Sequence, residues 1–124
     1  MKKFICILLT VILCISLVSC KSREAQIDEA IVLNWESVHN QLISNPVKTK
    51  DKYDRKIVSW TANVVRINSD SVDMSNDGWT NQISVHLSKD DMMELKPGQT
   101  VTVVGKLKLS ENFGSEIVNA FIVD

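Results

Sequence analysis

The stretch ISVHLSKDDMMELKPGQTVTVVGKLKL, residues 83–109, changes its hydrophobic pattern twice within 27 residues. Apolar residues first alternate with polar ones, which predicts a strand over residues 79–87. Ser88 is a typical helix N-cap and is followed by two aspartates, so a short helix is predicted over residues 89–95. A Pro-Gly turn follows, and alternation resumes in a strand over residues 100–109. The stretch therefore predicts two strands separated by a short helix.

Three more strands are predicted around this stretch, over residues 57–67, 71–74 and 115–123. Apolar residues in the first of them share one face, and Trp60 is among these predicted inward positions. The order is then three strands, a short helix and two strands. A five-stranded barrel with a helix between strands three and four is the OB arrangement. The sequence predicts a mainly β protein of this type.

An amphipathic helix is predicted before the barrel, over residues 24–45, with Ser22 as a possible cap. Its apolar positions recur at steps of three and four, which places them in one stripe. These positions are Ile27, Ile31, Trp35, Val38 and Leu42. Asn45-Pro46 is expected to end the helix, because proline disfavours helical geometry in the residue before it. The Lys-rich segment that follows is predicted to be a solvated loop at the start of the barrel, which spans residues 46–124.

The N-terminus has the features of a secretory leader: Lys2 and Lys3, an apolar run over residues 4–18, and Ser19-Cys20. A small residue directly before a cysteine is similar to the lipobox of bacterial lipoproteins. This resemblance implies removal of residues 1–19 and a diacylglycerol thioether on Cys20, with residues 20–23 as a lipidated N-terminus. An ordinary secretory leader, or a short anchor with a chance cysteine, is the alternative. The expected location is the bacterial cell envelope, lipid-anchored and extracytoplasmic, with the outer membrane favoured in a Gram-negative cell because Lys21 is not aspartate.

Composition limits the chemistry of the mature chain. Removal of the leader leaves 105 of the 124 residues, with twelve Lys and Arg against fifteen Asp and Glu, a balance of −3. Proteins that capture polyanions usually carry a basic excess, so no nucleic-acid partner is expected. No cofactor fingerprint is present, and His39 and His86 lack zinc-ligand spacing, so no metal is expected. Asp70, Asp73 and Asp77 could hold calcium near one hairpin, but solvated turn acids are expected there.

Several turn and barrel motifs resemble the tRNA-anticodon-like OB-fold family, which includes small bacterial lipoproteins. The resemblance covers roughly residues 45–124. The motifs are Asn45-Pro46-Val47-Lys48, Lys52-Tyr53, Asp54-Arg55-Lys56, Val58-x-Trp60-Thr61-Ala62-x-Val64, Ser88-Lys89-Asp90-Asp91, Leu95-Lys96-Pro97-Gly98-Gln99-Thr100-Val101-Thr102-Val103 and Gly105-Lys106. Ala62 departs from the family pattern, which usually has glycine there. The resemblance implies the fold and no catalytic set.

The candidate binding residues lie on the expected outer face of the barrel. Alternation places Asn63, Gln82, Ser84 and His86 outward, and Trp79 beside the Asp77-Gly78 turn is a further contact candidate. Ser59, Ser84 and His86 could share a side, but no nucleophile motif surrounds them, so the protein is not expected to be an enzyme. The sequence favours a lipid-anchored, non-catalytic module that binds an envelope protein or a small ligand. An oligosaccharide or cell-wall binder is the alternative, and a single-strand nucleic-acid binder is less favoured.

Overall fold

The computed structural model describes residues 22–76, 81–110 and 114–123. The leader, Cys20 and Trp79 lie outside these residues, so their expected roles stay predictions. Four helices and six strands follow one another in the described residues: α1 (Arg23–Glu29), β1 (Ile31–Val32), α2 (Trp35–Ser44), α3 (Pro46–Tyr53), β2 (Ile57–Ile67), β3 (Val72–Ser75), β4 (Ile83–Val85), α4 (Lys89–Met93), β5 (Thr100–Lys108) and β6 (Glu116–Val123).

Strand β2 closes the barrel because it pairs with two different neighbours. Residues 57–63 pair with β5, and residues 63–67 pair with β3, both antiparallel. The remaining pairs join β3 to β4, β4 to β6 in parallel, and β6 to β5. These five strands form a closed barrel with α4 between the third and fourth. The predicted fold class, a mainly β OB-type barrel, is confirmed.

The core follows the alternation of β2. Val58, Trp60, Ala62 and Val64 are all at most 2% exposed. The buried Trp60 indole still has a partner: with the Asn76 amide oriented to match its neighbours, its oxygen accepts the indole N–H at 3.2 Å and its nitrogen donates to the Thr61 carbonyl at 2.9 Å. A buried indole N–H without an acceptor would destabilise the folded state, because it would give up its hydrogen bond to water for nothing in return. The inward orientation predicted for Trp60 is confirmed.

The predicted helix over residues 24–45 is interrupted, so its bounds are wrong although an amphipathic N-terminal helix, α2, is present. Ile31 and Val32 are extended and pair in parallel with Val58 and Ser59 of β2. The open edge of β2 offers hydrogen bonds there that a continuous helix would forgo, including Leu33 N–H to the Ser59 carbonyl at 2.8 Å. The stripe is divided accordingly. Its second part, Trp35, Val38 and Leu42, is buried, whereas Ile27 and Ile31 are each 41% exposed.

The Lys-rich segment is also not a loop, because most of it forms α3. Asn45 ends α2 by donating its N–H to the Gln41 carbonyl, and its side chain accepts the N–H of Lys48 to begin α3. Pro46 is the first helical residue of α3, where its fixed φ suits a helix and its missing N–H costs nothing. Asn45 therefore ends α2, and Pro46 directly after it begins α3.

The helices occupy different parts of the barrel surface. Helix α1 packs against β2 and β5, and the Arg23 guanidinium lies 5.0 Å from the centre of the Phe121 ring. Helix α3 leads into the start of β2, and α4 leads into the start of β5. Because β2 and β5 are antiparallel, their starts lie at opposite ends of the pair. Helices α3 and α4 are therefore at opposite ends of the barrel.

A bulge between β5 and β6 depends on Gly105. Val104 pairs with Phe121 and Lys106 with Val118, so two residues of β6, Asn119 and Ala120, face Gly105 alone. Asn119 adopts a φ of 52°, a left-handed conformation that asparagine tolerates better than most residues. The extra residue bends β6, and the Ala120 N–H bonds to the His86 carbonyl beside β4. The bulge thus lets β6 bridge β5 and β4.

Gly105→Ala should destabilise the protein by about 1–3 kcal/mol. An added Cβ would lie 2.7 Å from Ile117 Cγ2 and 2.9 Å from the Ala120 Cα, and backbone atoms cannot move aside cheaply. Urea unfolding followed by circular dichroism measures the effect. Gly114→Ala is the matched control, because nothing lies within 4 Å of a Cβ there. Equal unfolding midpoints for both variants would contradict this account of the bulge.

Candidate ligand-binding face

A second bulge, in β2, decides which side chains reach the outer surface of β3 and β4. We call this surface, together with the side chains beside it on β2, the turn after β2 and β6, the β3–β4 wall; its residues are Arg66, Asn68, Asp73, Ser84, His86 and Glu116. Val64 pairs with Met74 and Arg66 with Asp73, so Val65 is an extra residue in β2. Without it, Arg66 would have the inward parity of Val64. The bulge reverses this parity: Arg66 is exposed, and Ile67 packs against the core instead.

Arg66 meets a buried carboxylate on the neighbouring strand. Asp73 is only 6% exposed, and its Oδ2 accepts hydrogen bonds from Arg66 Nε at 3.1 Å and Nη2 at 2.9 Å. Asn68 Nδ2 donates to the same oxygen at 3.2 Å. Ser84 Oγ donates to the other oxygen, Oδ1, at 3.0 Å. Three strands and a turn thus converge on one side chain.

This environment lowers the pKa of Asp73. Burial alone raises that pKa, because it disfavours the charged form, but the hydrogen bonds from Arg66, Asn68 and Ser84 and the positive charge of Arg66 outweigh it. The carboxylate is therefore ionised and accepts four hydrogen bonds, which makes it unsuitable as a general base near neutral pH. The expectation that Asp73 is a solvated turn acid is wrong, since its place on β3, directly opposite Arg66, buries it.

The polar row continues across β4 to β6. Ser84 is in register with Asp73 on one side and with Glu116 on the other. His86 Nε2 lies 3.2 Å from Glu116 Oε1, and the two side chains are 35% and 41% exposed. Ser84 thus bonds to Asp73 and His86 to Glu116. Ser84 and His86 therefore contact different acidic residues on the same wall.

The predicted binding residues divide between two places. Ser84 and His86 lie on the β3–β4 wall beside Asp73 and Glu116, and the half-buried Gln82 immediately precedes β4. Asn63 lies opposite Ser75 of β3 but accepts a hydrogen bond from Thr100 of β5. It therefore belongs to the junction between β2 and β5, beside the Thr61–Thr102 pair with its 2.7 Å oxygen separation.

Sequence reasoning missed three residues of this wall, Arg66, Asn68 and Glu116, and it placed a fourth, Asp73, in a solvated turn. Arg66 carried a signal, because strict alternation in β2 puts its charge inward. A charged residue at an inward position of a strand indicates a bulge or a buried partner. Asp73 and Glu116 carried no such signal, since their roles depend on cross-strand register.

Within residues 22–76, 81–110 and 114–123, no group of three or more His, Cys, Asp or Glu side chains is placed to hold a metal ion. In the same part of the chain, no helix has the length and apolar character needed to cross a bilayer.

Comparison with solved structures supports the fold. The chain is similar to a "putative nucleic acid-binding lipoprotein" from Klebsiella pneumoniae subsp. pneumoniae MGH 78578, with a TM-score of 0.64, 17% identity, and coverage of 85% of this chain and 100% of that one. A weaker likeness, to the hypothetical protein ygiW of E. coli, has a TM-score of 0.44, 20% identity, and coverage of 76% and 89%. No protein-family model matches the chain, and no curated protein is similar to it in sequence. At 17% identity, the likeness to the Klebsiella chain concerns the fold alone.

The exclusion of nucleic acid as a partner is wrong. The Klebsiella chain, which shares this fold, is described as a "putative nucleic acid-binding lipoprotein". The exclusion relied on net charge, which averages over the whole surface, whereas binding depends on where the charges lie. Arg66, for example, is 63% exposed on the β3–β4 wall of an otherwise acidic chain.

Asp73→Asn should lower the free energy of unfolding at neutral pH by about 1–2 kcal/mol, since it weakens charge-assisted hydrogen bonds to a half-exposed Arg66. The pKa of Asp73 in the folded state lies below its ordinary value of 3.8. Its contribution is therefore full above that pH and is lost as the pH falls through the lower folded-state pKa.

Urea unfolding of the wild type and Asp73→Asn at neutral pH and at progressively lower pH measures this difference. Asp70→Asn is the control, because Asp70 is exposed three residues away. A difference that stays constant into strong acid, or that Asp70→Asn reproduces, would refute the role assigned to the carboxylate.

Proposed function

We propose that this chain is a lipid-anchored protein of the bacterial envelope and a non-catalytic binding module, which holds an envelope protein or a small ligand on the β3–β4 wall. We also propose that it belongs to the tRNA-anticodon-like OB-fold group. The barrel and the motifs quoted above support that assignment. OB barrels commonly bind through the strands equivalent to β3 and β4 and the loops beside them.

The observation that carries the proposal is the organisation of the polar row. Asp73 accepts four hydrogen bonds and so restrains Arg66, Asn68 and Ser84. Arg66 nevertheless keeps 63% of its side chain accessible. Polar groups that are restrained before binding lose less conformational entropy when a ligand arrives. The row therefore offers hydrogen-bonding groups in a defined arrangement.

The charges on the wall favour a ligand of mixed polarity. Arg66 faces Asp73, and His86 faces Glu116, so each basic group has an acidic neighbour. A wall with such paired charges complements a protein surface of mixed charge or a hydroxyl-rich small ligand better than it complements a ligand of a single charge. Oligosaccharides share the required hydroxyl chemistry and remain the alternative, with Trp79, Gln82 and His86 as the minimum site.

Single-stranded nucleic acid is a second candidate. The exposed guanidinium of Arg66 on the wall that OB folds use, together with the description of the Klebsiella lipoprotein, supports it. Its signature would be affinity that falls steeply with salt, because phosphate contacts release counterions.

The proposed non-catalytic role follows from the partners of the polar side chains. Ser84 donates to a carboxylate of lowered pKa, which is a poor acceptor for a serine proton. The His86 side chain contacts Glu116. The lipid on Cys20 and the envelope location, with the outer membrane favoured in a Gram-negative cell, are supported by the leader and by the lipoprotein description of the Klebsiella chain.

Crosslinking in cells followed by affinity capture tests the binding wall. The variant His86→Ala/Glu116→Gln removes both members of one surface pair, and the matched control Thr61→Val/Thr102→Val removes both members of another pair near β5. We expect the wild type and the control to capture one envelope partner. The amount captured by the wall variant should be at least tenfold lower. Equal capture by all three would refute the wall as the site.

NMR titration of the mature chain separates the ligand classes. Glycan fragments and a single-stranded oligonucleotide are added separately at low and raised salt, and the Ser84 and His86 amide signals are followed. Shifts with glycans that persist in salt support the oligosaccharide alternative. Shifts with the oligonucleotide that vanish in salt support the nucleic-acid candidate.

A further inference from the structure

The corner between α2 and α3 exposes apolar side chains that the barrel does not use. Ile43 is 70% exposed and Val47 is 80% exposed, and each lies two residues from Asn45. Another side of α2 is buried through Trp35, Val38 and Leu42, so α2 already has its core-facing stripe. Ile43 and Val47 therefore contribute little buried apolar surface to the folded chain.

The same corner carries a local positive charge. Residues 46–56 contain five Lys and Arg against two Asp, a balance of +3, whereas the rest of the mature chain has seven Lys and Arg against thirteen acids, a balance of −6. One of the two aspartates, Asp54, accepts the Leu109 N–H at 2.9 Å. Lys48 and Lys52 are both exposed and lie one helical turn apart. The corner is the basic end of an acidic domain.

A polar groove lies beside the exposed apolar residues. It has a volume of about 410 Å³ and lies between the two helices. Asn40, Gln41 and Ser44 of α2 line one side, and Lys48 and Lys52 of α3 line the other. The ammonium groups of Lys48 and Lys52 supply the donors that a phosphate needs, and the Asn40 amide lies beside them. The Ser44 hydroxyl already donates to the Asn40 carbonyl at 2.9 Å, and the Gln41 amide donates to Ser37 Oγ at 3.1 Å.

We propose that this corner, residues 40–52, is a membrane-contact surface that binds the phosphates of anionic lipids. Ile43 and Val47 enter the boundary between headgroups and acyl chains, and Lys48 and Lys52 pair with lipid phosphates in the groove. Apolar residues beside lysines are the usual composition of segments that lie in a membrane interface. This contact does not involve the proposed lipid on Cys20. It depends on that lipid only to hold the domain near the membrane.

The length of chain before the fold favours a membrane as the occupant. Ser22, the first described residue, is two residues from Cys20, and an extended chain spans roughly 7 Å over that distance. A lipidated chain would therefore keep the domain against the headgroups. A second copy is a poorer occupant, because residues 40–52 carry three lysines against one aspartate, and two such basic surfaces would repel each other. An anionic bilayer complements both the charge and the isolated apolar side chains.

Vesicle binding by a chain without the lipid tests the proposal independently of the anchor. The mature chain with Cys20→Ser contains every residue of the described fold. It is mixed with vesicles of phosphatidylcholine alone or with added phosphatidylglycerol, and binding is measured by cosedimentation. Lys48→Gln/Lys52→Gln should weaken binding to the anionic vesicles about tenfold or more. The matched control is Lys89→Gln/Lys96→Gln, which removes two exposed lysines at the α4 end.

An environment-sensitive dye reports the apolar contact. In the Cys20→Ser chain, Ile43→Cys introduces a single thiol, because the other cysteines leave with the leader. The dye at this position should shift its emission to the blue with anionic vesicles. A dye on Met93→Cys, where Met93 is 75% exposed on α4 at the other barrel end, should not shift. The label does not alter Lys48 or Lys52, so it tests the surface even if the lysine variant folds poorly.

Weakened binding in the Lys48/Lys52 variant alone, with a shift at position 43 alone, supports the proposal. Absence of binding to anionic vesicles, equal loss in both lysine variants, or equal shifts at positions 43 and 93 overturns it. Binding to inorganic phosphate without vesicle binding would also overturn it, since it would indicate a site for a free anion. None of these failures bears on the β3–β4 wall, which the crosslinking experiment tests separately.

Discussion

Strand β2 closes the barrel because it pairs both with β3, its neighbour in the sheet, and with β5, the last strand of the sheet. Its first part pairs with β5 and its last part with β3, so a single strand of eleven residues turns an open sheet into a closed barrel. Closure removes most of the free sheet edges, which otherwise carry unpaired N–H and C=O groups. It also requires the sheet to bend sharply, and bulges are the usual means of bending a strand.

Each of the two bulges has consequences beyond the backbone. The one at Gly105 and Asn119 lets β6 reach both β5 and β4, and it requires a residue without a side chain at position 105. The one at Val65 reverses the orientation of the residues after it and brings Arg66 to Asp73. The device that closes the barrel thus also builds the polar wall on which the proposed function rests.

The surface of the domain is divided between different chemistries. Helix α1 lies over β2 and β5, the β3–β4 wall carries paired acidic and basic groups, and the corner of α2 and α3 carries exposed apolar residues with lysines. This division gives the proposed module separate places for a ligand and for the membrane. It also explains why the net charge of −3 was a poor guide to partners, since the charge differs in sign between regions.

The sequence by itself determined the order of the five barrel strands along the chain, the short helix between the third and fourth of them, and the inward face of β2. These features depend on local alternation, capping and turn residues. It also placed Ser84 and His86 on the outer face. Tertiary structure alone decided that residues 31–32 pair with β2 instead of continuing a helix, because the open edge of β2 comes from elsewhere in the chain. It alone decided that Asp73 is buried with Arg66, since a one-residue bulge changes which side chains meet across strands. Local patterns determine secondary structure, whereas register and edge pairing depend on distant parts of the chain meeting in space.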